Sequence, residues 1–272
     1  MTIDFHTHIF PDNLAEKAIA ALYNEADGPY KPVHDGTLSG LLKVMDCAGI
    51  DVSVVLPVVT KPTQTRRVNE WAAEIRSDRI IGFGGLYPSA PDYRSDIDHI
   101  VGLGLKGVKF HAEYQNFILD APDMLKIYDY ALSKGLILLH HAGFDPGFSP
   151  PYKSTPGQFI NVLNAMRGGV IIAAHLGGHD QWDDVENQLA GSDIYLDTSM
   201  GFEYFSREQF LRIVEKHGAD KILFATDSPW SDAKSELDIL NSLPLDKSAI
   251  GAITGGNAAR ILKIDSTALT LF

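Results

Sequence analysis

The stretch Met1-Thr2-Ile3-Asp4-Phe5-His6-Thr7-His8 reads as a short apolar strand ending in His-x-His. Strand side chains alternate between faces, so residues two apart share one. His6 and His8 therefore present two imidazoles side by side, a geometry suited to one transition metal. Such a pair also occurs by chance at surface strand ends, so its meaning rests on what the other strands bring to the same place.

Outward from this stretch the chain alternates strand and helix. Residues 3–6, 52–58, 80–86, 107–111, 136–141, 170–175, 194–198 and 221–226 form eight Val/Ile/Leu-rich runs. Helical patterns fill residues 37–48, 63–77, 97–103, 123–133, 155–166, 180–189 and 206–218. Thr37 is a plausible N-cap with Gly49 as the stop, Pro122 opens a helix, and Ser206-x-x-Gln209 has the form of a capping box. Residues 232–263 hold further helices, interrupted by Pro244 and Gly255-Gly256. Near-continuous apolar strands are what a parallel sheet covered by helices requires. A regular count of eight favours a closed α/β barrel over a doubly wound open sheet. No Gly-x-Gly-x-x-Gly turn follows the first strand, which argues against a dinucleotide site. Residues 10–36 and 143–155 are expected to be long loops and candidate lids, the second stiffened by Pro146, Pro150 and Pro151 beside Tyr152.

Composition narrows the class. With 272 residues, 45% apolar and 21% charged, the chain suits one globular domain spanning 1–272. A net charge of -12 argues against nucleic acid as a partner. Cys47 is the only cysteine, which excludes an intrachain disulfide and a thiolate cluster. The opening strand is not a secretory leader, and no apolar run approaches a membrane span, so a cytoplasmic enzyme with a small-molecule substrate is expected. A homo-oligomer is neither required nor opposed.

In a barrel of this kind the active site forms at the C-terminal strand ends. Strand one delivers His6 and His8 there; strand four Lys109, His111 and, just beyond, Glu113; strand five His140 and His141; strand six His175; strand eight Asp227. Six of the ten histidines thus fall at four strand ends. Neutral imidazoles and a carboxylate suit Zn²⁺ or a similar cation with room for a water. Asp227 is a candidate ligand and proton acceptor, His175 a candidate acid, base or electrophile. Of the adjacent pair, His141 is taken as the inward residue and His140 as packed toward the helices. His179 reads equally as a helix-start surface residue or a ligand, whereas His34, His99 and His217 read as solvent-exposed. Lys109 in an apolar strand should meet a carboxylate, a substrate anion, or carry a carbamate bridging two metals. Glu113 is a candidate partner for it, and Asp4 is a candidate for orienting a histidine or for a direct role.

These residues resemble the amidohydrolase superfamily, in its amidohydrolase-related branch of aminocarboxymuconate semialdehyde decarboxylase and relatives. The matching stretches are Asp4-Phe5-His6-Thr7-His8, Gly107-Val108-Lys109-Phe110-His111, Leu139-His140-His141-Ala142-Gly143, Ala174-His175-Leu176-Gly177-Gly178, Phe224-Ala225-Thr226-Asp227-Ser228-Pro229 and Gly256-Asn257-Ala258-Ala259-Arg260-Ile261-Leu262. The resemblance implies an α/β fold, a (β/α)8 TIM barrel of the metal-dependent hydrolase type. It implies one divalent metal, commonly Zn, on His6, His8, His141 and Asp227, with His175 acting on substrate or water. A second ion or Mn is compatible with the family, and Lys109, His111 and Glu113 are candidates for metal or substrate contact. The leading expectation is hydrolysis of a small amide, ester or lactone. The alternative is non-oxidative decarboxylation of a small aromatic or unsaturated acid. The absence of arginine between Arg94 and Arg167, which leaves no obvious carboxylate grip, leans toward hydrolysis. A TatD-like nuclease ranks third, since its Gly-Glu-x-Gly-Leu-Asp stretch is missing.

Overall fold

Strand alternation builds two concentric cores. The computed structural model describes residues 1–26, 30–90 and 92–264. Ile3 and Phe5 of β1 (Ile3–Thr7), Val52 and Val54 of β2 (Val52–Val55) and Leu139 of β6 (Ile137–His140) pack together inside the sheet, with Ile172 of β7 (Ile171–Ala173) and Leu223 of β9 (Ile222–Leu223). Their strand neighbours Val55, Leu138, Ile171 and Ile222, with Val108 and Phe110 of β5 (Gly107–Phe110), face the helices.

All strand pairings are parallel: β1, β2 and a strand at 80–82 form one ladder, and strands at 84–85, 107–110, 137–140, 171–173, 195–197 and 222–223 form a second, in chain order. β3 (Ile80–Gly82) and β4 (Gly84–Gly85) are two halves of the single run expected there, and β8 spans Tyr195–Asp197. Phe83 separates the halves, yet its N–H still bonds Val55 O at 3.0 Å. At the opposite seam Phe5 N–H bonds Phe224 O at 3.0 Å and Asp227 N–H bonds His6 O at 2.9 Å, while Thr7 bridges Ser228 in parallel. The two ladders thus meet at both seams, the arrangement of a TIM barrel.

Strict alternation fails at one place that matters. Between Asp4, paired with Ser53, and Thr7, paired with Val55, the β1 register slips. Such a bulge re-aims a side chain. Here it lets His6 face the interior although its neighbour Phe5 already does. Asp4 is turned to the seam, where its carboxylate accepts Thr226 N–H (3.1 Å), Thr226 Oγ1–H (2.6 Å) and His6 N–H (3.2 Å) and touches no imidazole ring.

Several sequence expectations need correction. The expected loop 10–36 contains α1 (Asp12–Glu25), which buries Ala15 and Ile19; residues 27–29 of it lie outside the described part. Its Leu/Ala/Glu/Lys-rich sequence is strongly helix-forming, a signal outweighed by the reading as a lid. The helix expected from 180 starts at Trp182 and runs to Leu189, its second half in a wider π-type turn. His217, expected to be exposed, is buried, accepting Gly191 N–H and donating to Ile194 O. Thr37 and Ser206 cap their helices, each hydroxyl accepting the N–H three residues on, but the capping box expected at Ser206 is incomplete because the Gln209 side chain donates to Asp183 Oδ1 instead. Among the described residues no helix is long and apolar enough to cross a membrane.

α9 (Ala233–Ser242) carries Glu236, 3% exposed, which accepts Phe202 N–H (3.3 Å) and Ser231 Oγ–H (3.0 Å). Burial raises this acid from 4.5 to about 7. A folded pKa above the unfolded one means that stability is lost as pH climbs through this window. Glu236→Gln is therefore expected to raise thermal stability at pH 8, by about 1–3 kcal/mol, and to change little near pH 4.5. Equal effects at both pH values in thermal melts would contradict this.

Candidate active site

β1, its bulge and the turn after β9 bring three acceptors to one point. His6 Nε2 lies 3.1 Å from His8 Nε2, and Asp227 Oδ1 lies 3.1 and 3.0 Å from these two nitrogens. Protonation follows from the other side of each ring. His6 Nδ1 faces Asp197 Oδ2 at 2.9 Å and His8 Nδ1 faces Leu56 O at 2.8 Å, neither of which can donate. Both Nδ1 atoms therefore carry the hydrogen, leaving both Nε2 lone pairs bare and directed at each other. Asp227 Oδ1 is buried with no donor. Three crowded acceptors, His6 buried and His8 and Asp227 half-buried, are costly unless a cation joins them. Two imidazole nitrogens and a carboxylate oxygen are a donor set for a borderline divalent ion.

The neighbouring donor is Lys109, whose Nζ lies 2.9 Å from His6 Nε2. Burial pulls Lys109 down to about 8, against the pull of the Asp227, Asp197 and Asp145 carboxylates. Burial, with the Lys109 charge, lowers His6 to about 4. Burial also drives His141 and His175 well below the usual imidazole range, so these rings are neutral near pH 7. Asp227 is held ionised: burial alone would raise it, but His6, His8 and His175 draw it well down. Glu113 does not reach Lys109; it accepts the backbone N–H of Lys153 at 2.7 Å and tethers the 143–155 loop.

His141 stands apart from the first triad and forms a second cluster with His111 and Asp145, whose ligand atoms lie within 4.8 Å of one another. This cluster does not suit a metal. The His111 and His141 rings stack at 4.1 Å and 15° from parallel, so their in-plane lone pairs do not converge. Asp145 Oδ2, 3.2 Å from His111 Nε2, has no hydrogen to give, so that nitrogen carries the hydrogen and donates it. His141 Nε2 is buried with no partner, so its lone pair is not taken up by a hydrogen bond. His140 faces the helices, stacked on Phe110. His179 is buried and stacks on Phe144, and His34 is half-buried, 3.1 Å from Ser228 Oγ.

His175 and Asp227 both adopt left-handed backbone conformations, with φ of 55° and 63°. Non-glycine residues there cost about 1–2 kcal/mol each and persist only when held. Asp227 N–H is held by His6 O, and His175 N–H by Asp197 Oδ1 at 3.0 Å. Gly143 approaches His179 so closely that a Cβ would fall 2.4 Å from its backbone N and O, which ties the loops after β6 and β7 together. Above the acceptors opens a cavity of about 1400 Å³ walled by Phe10, Tyr114, Phe144, Met200 and Trp230. Leu14, Ala18 and Leu22 of α1 and Val68 and Trp71 of α3 (Thr65–Glu74) extend it, and Arg67 also lines it.

Asp197, Ser199, Asp145 and Arg67 are site residues that the sequence reading missed. Asp197 ends an apolar strand, the same signal that singled out Lys109. Because the Lys109 ammonium occupies a lone pair that a cation would take, Zn²⁺ affinity is expected to rise as pH climbs through about 8. Lys109→Met should remove that dependence and tighten binding at pH 7 on the order of tenfold. Chelator competition measures both. Weaker binding in the variant would mean instead that the lysine, as a carbamate, is a ligand.

The sequence matches the family model described as amidohydrolase over residues 3–264. A search of curated proteins finds no match. Among solved structures the chain is similar to an uncharacterized TIM-barrel protein from Bordetella bronchiseptica, with 18% identity and a TM-score of 0.77 over 96% of this chain and 98% of that one. It is also similar to 5-carboxyvanillate decarboxylase from Sphingomonas paucimobilis, with 16% identity and a TM-score of 0.71 over 97% and 99%. A dihydroxybenzoic acid decarboxylase from a Polaromonas species, with bound manganese and the inhibitor 2-nitroresorcinol, gives 16% identity and 0.70 over 99% of each chain. At these identities the likeness concerns the barrel fold. The family match spans nearly the whole chain and includes every residue of the acceptor cluster: the chain belongs to the amidohydrolase family.

Proposed function

We propose that the protein is a metal-dependent, non-oxidative decarboxylase of a small aromatic or unsaturated carboxylic acid. His6, His8, Asp227 and His141 hold one divalent cation, Zn²⁺ or Mn²⁺, in this reading. The observation that carries it is the buried Lys109 ammonium beside the acceptor cluster, on the floor of an aromatic-walled cavity. A carboxylate entering that cavity meets a charge partner, and its ring meets apolar walls. The structural relatives named as aromatic-acid decarboxylases, one with bound manganese, support the same reading. The lean toward hydrolysis loses its ground, because the missing arginine stretch is offset in space by Lys109 and by Arg67 of α3.

The cation, when bound, supplies Lewis-acid polarisation of the substrate oxygens. Lys109 Nζ pairs with the substrate anion. Phe10, Met200 and Trp230 grip the ring and exclude water, which strengthens every charge interaction in the site. Asp227, ionised and 13% exposed at the cavity, takes the proton of a ring hydroxyl and returns it to the carbon bearing the carboxylate. The carbon–carbon bond then breaks, its electron pair stays with the ring, carbon dioxide leaves, and the phenolate oxygen regains a proton from solvent.

Metal-loaded protein offered a panel of hydroxybenzoates is expected to release carbon dioxide. In heavy water it should leave one deuterium on the vacated carbon. Asp227→Asn should lower turnover by about 10²–10⁴-fold. Acid release from esters, lactones or amides, with no carbon dioxide from any aryl acid, would sink this reading in favour of hydrolysis.

A further inference from the structure

We infer that Asp197, at the end of β8, is a positioning residue that sets the tautomers of His6, His175 and His141, and thereby which nitrogens face the centre with bare lone pairs. The carboxylate is fully buried and meets four donors. Oδ2 accepts from His6 Nδ1 at 2.9 Å. Oδ1 accepts His175 N–H at 3.0 Å, Ser199 N–H at 3.1 Å and the Ser199 hydroxyl. An ionised carboxylate has no hydrogen to give, so each contact fixes a hydrogen on its partner.

The consequence passes from residue to residue. Ser199 Oγ has one hydrogen and directs it to Asp197, so toward His175 Nδ1, 2.9 Å away, it can only accept. His175 therefore carries its hydrogen on Nδ1; the Ser199 carbonyl, 3.3 Å from the same atom, is too far to hold that tautomer alone. The bare His175 Nε2 lies 3.0 Å from His141 Nδ1 and accepts its hydrogen. His141 Nε2 is then left bare, and it is the atom found buried without a partner. One carboxylate thus prepares a lone pair on His6 directly and one on His141 through two intermediates. His175 serves in this chain to orient His141. His8 lies outside it, its Nδ1 held by Leu56 O, and is an internal control.

The inference concerns the wiring of the site and stands whether the enzyme releases carbon dioxide or hydrolyses its substrate. Long-range ¹H–¹⁵N spectra of histidine-labelled, metal-free protein read each tautomer. His6, His8, His141 and His175 are expected to be protonated at Nδ1 alone. In Ser199→Ala the His175 and His141 signals should move toward a tautomer mixture while His6 and His8 stay unchanged. In Asp197→Asn, His6 should shift its hydrogen to Nε2, and Zn²⁺ affinity by chelator competition should fall about 10–100-fold. An Nε2-protonated His6, His141 or His175 in the wild-type protein would overturn the inference, even if neither variant folded. So would unmoved His175 and His141 signals in Ser199→Ala.

Discussion

Lone pairs forced together repel, and the floor of this barrel holds two bare imidazole nitrogens 3.1 Å apart with a carboxylate oxygen beside both. Such an arrangement survives only where the surrounding structure leaves the side chains no better option. The frame supplies that constraint at several levels. The β1 bulge turns His6 inward, the β1–β9 seam fixes Asp227 in a left-handed conformation, and Asp197 holds both the His6 ring and the His175 backbone. Packing the interior core from both seams makes these positions rigid, since well-packed interiors do not deform continuously. The site is therefore poised for a cation by the fold itself.

The same geometry argues for one ion rather than two. His111 and His141 come close, yet closeness is not convergence: stacked rings direct their lone pairs along nearly parallel planes, and His111 directs a hydrogen, not a lone pair, at Asp145. Lys109 adds a positive charge where a second ion would otherwise compensate the carboxylates. Its ammonium places a positive charge on the cavity floor.

Much of this was legible in the chain. Parallel strands buried on both faces must be apolar, so the runs at 52–58, 107–111 and 136–141 declared themselves, and any polar residue ending such a run stood out. His6, His8, Lys109, His141, His175 and Asp227 were visible for that reason. Asp197 carried the same signal but lies on a strand with no histidine to draw attention to it. The β1 bulge was not legible, because inserting a residue into a ladder depends on Asp4 finding Thr226, a partner 222 positions away. Asp145 and Ser199 were hidden likewise: their roles exist only once loops from different strands meet. α1 is legible in its Leu/Ala/Glu/Lys-rich composition.

The central claim is that the barrel floor binds a single divalent cation on His6, His8, Asp227 and His141. Anomalous diffraction from crystals grown with Zn²⁺ or Mn²⁺ tests it most directly. The account predicts one anomalous peak per chain, bonded to Nε2 of His6, His8 and His141 and to Asp227. A peak between His111 and Asp145, or two ions bridged at Lys109, would contradict it.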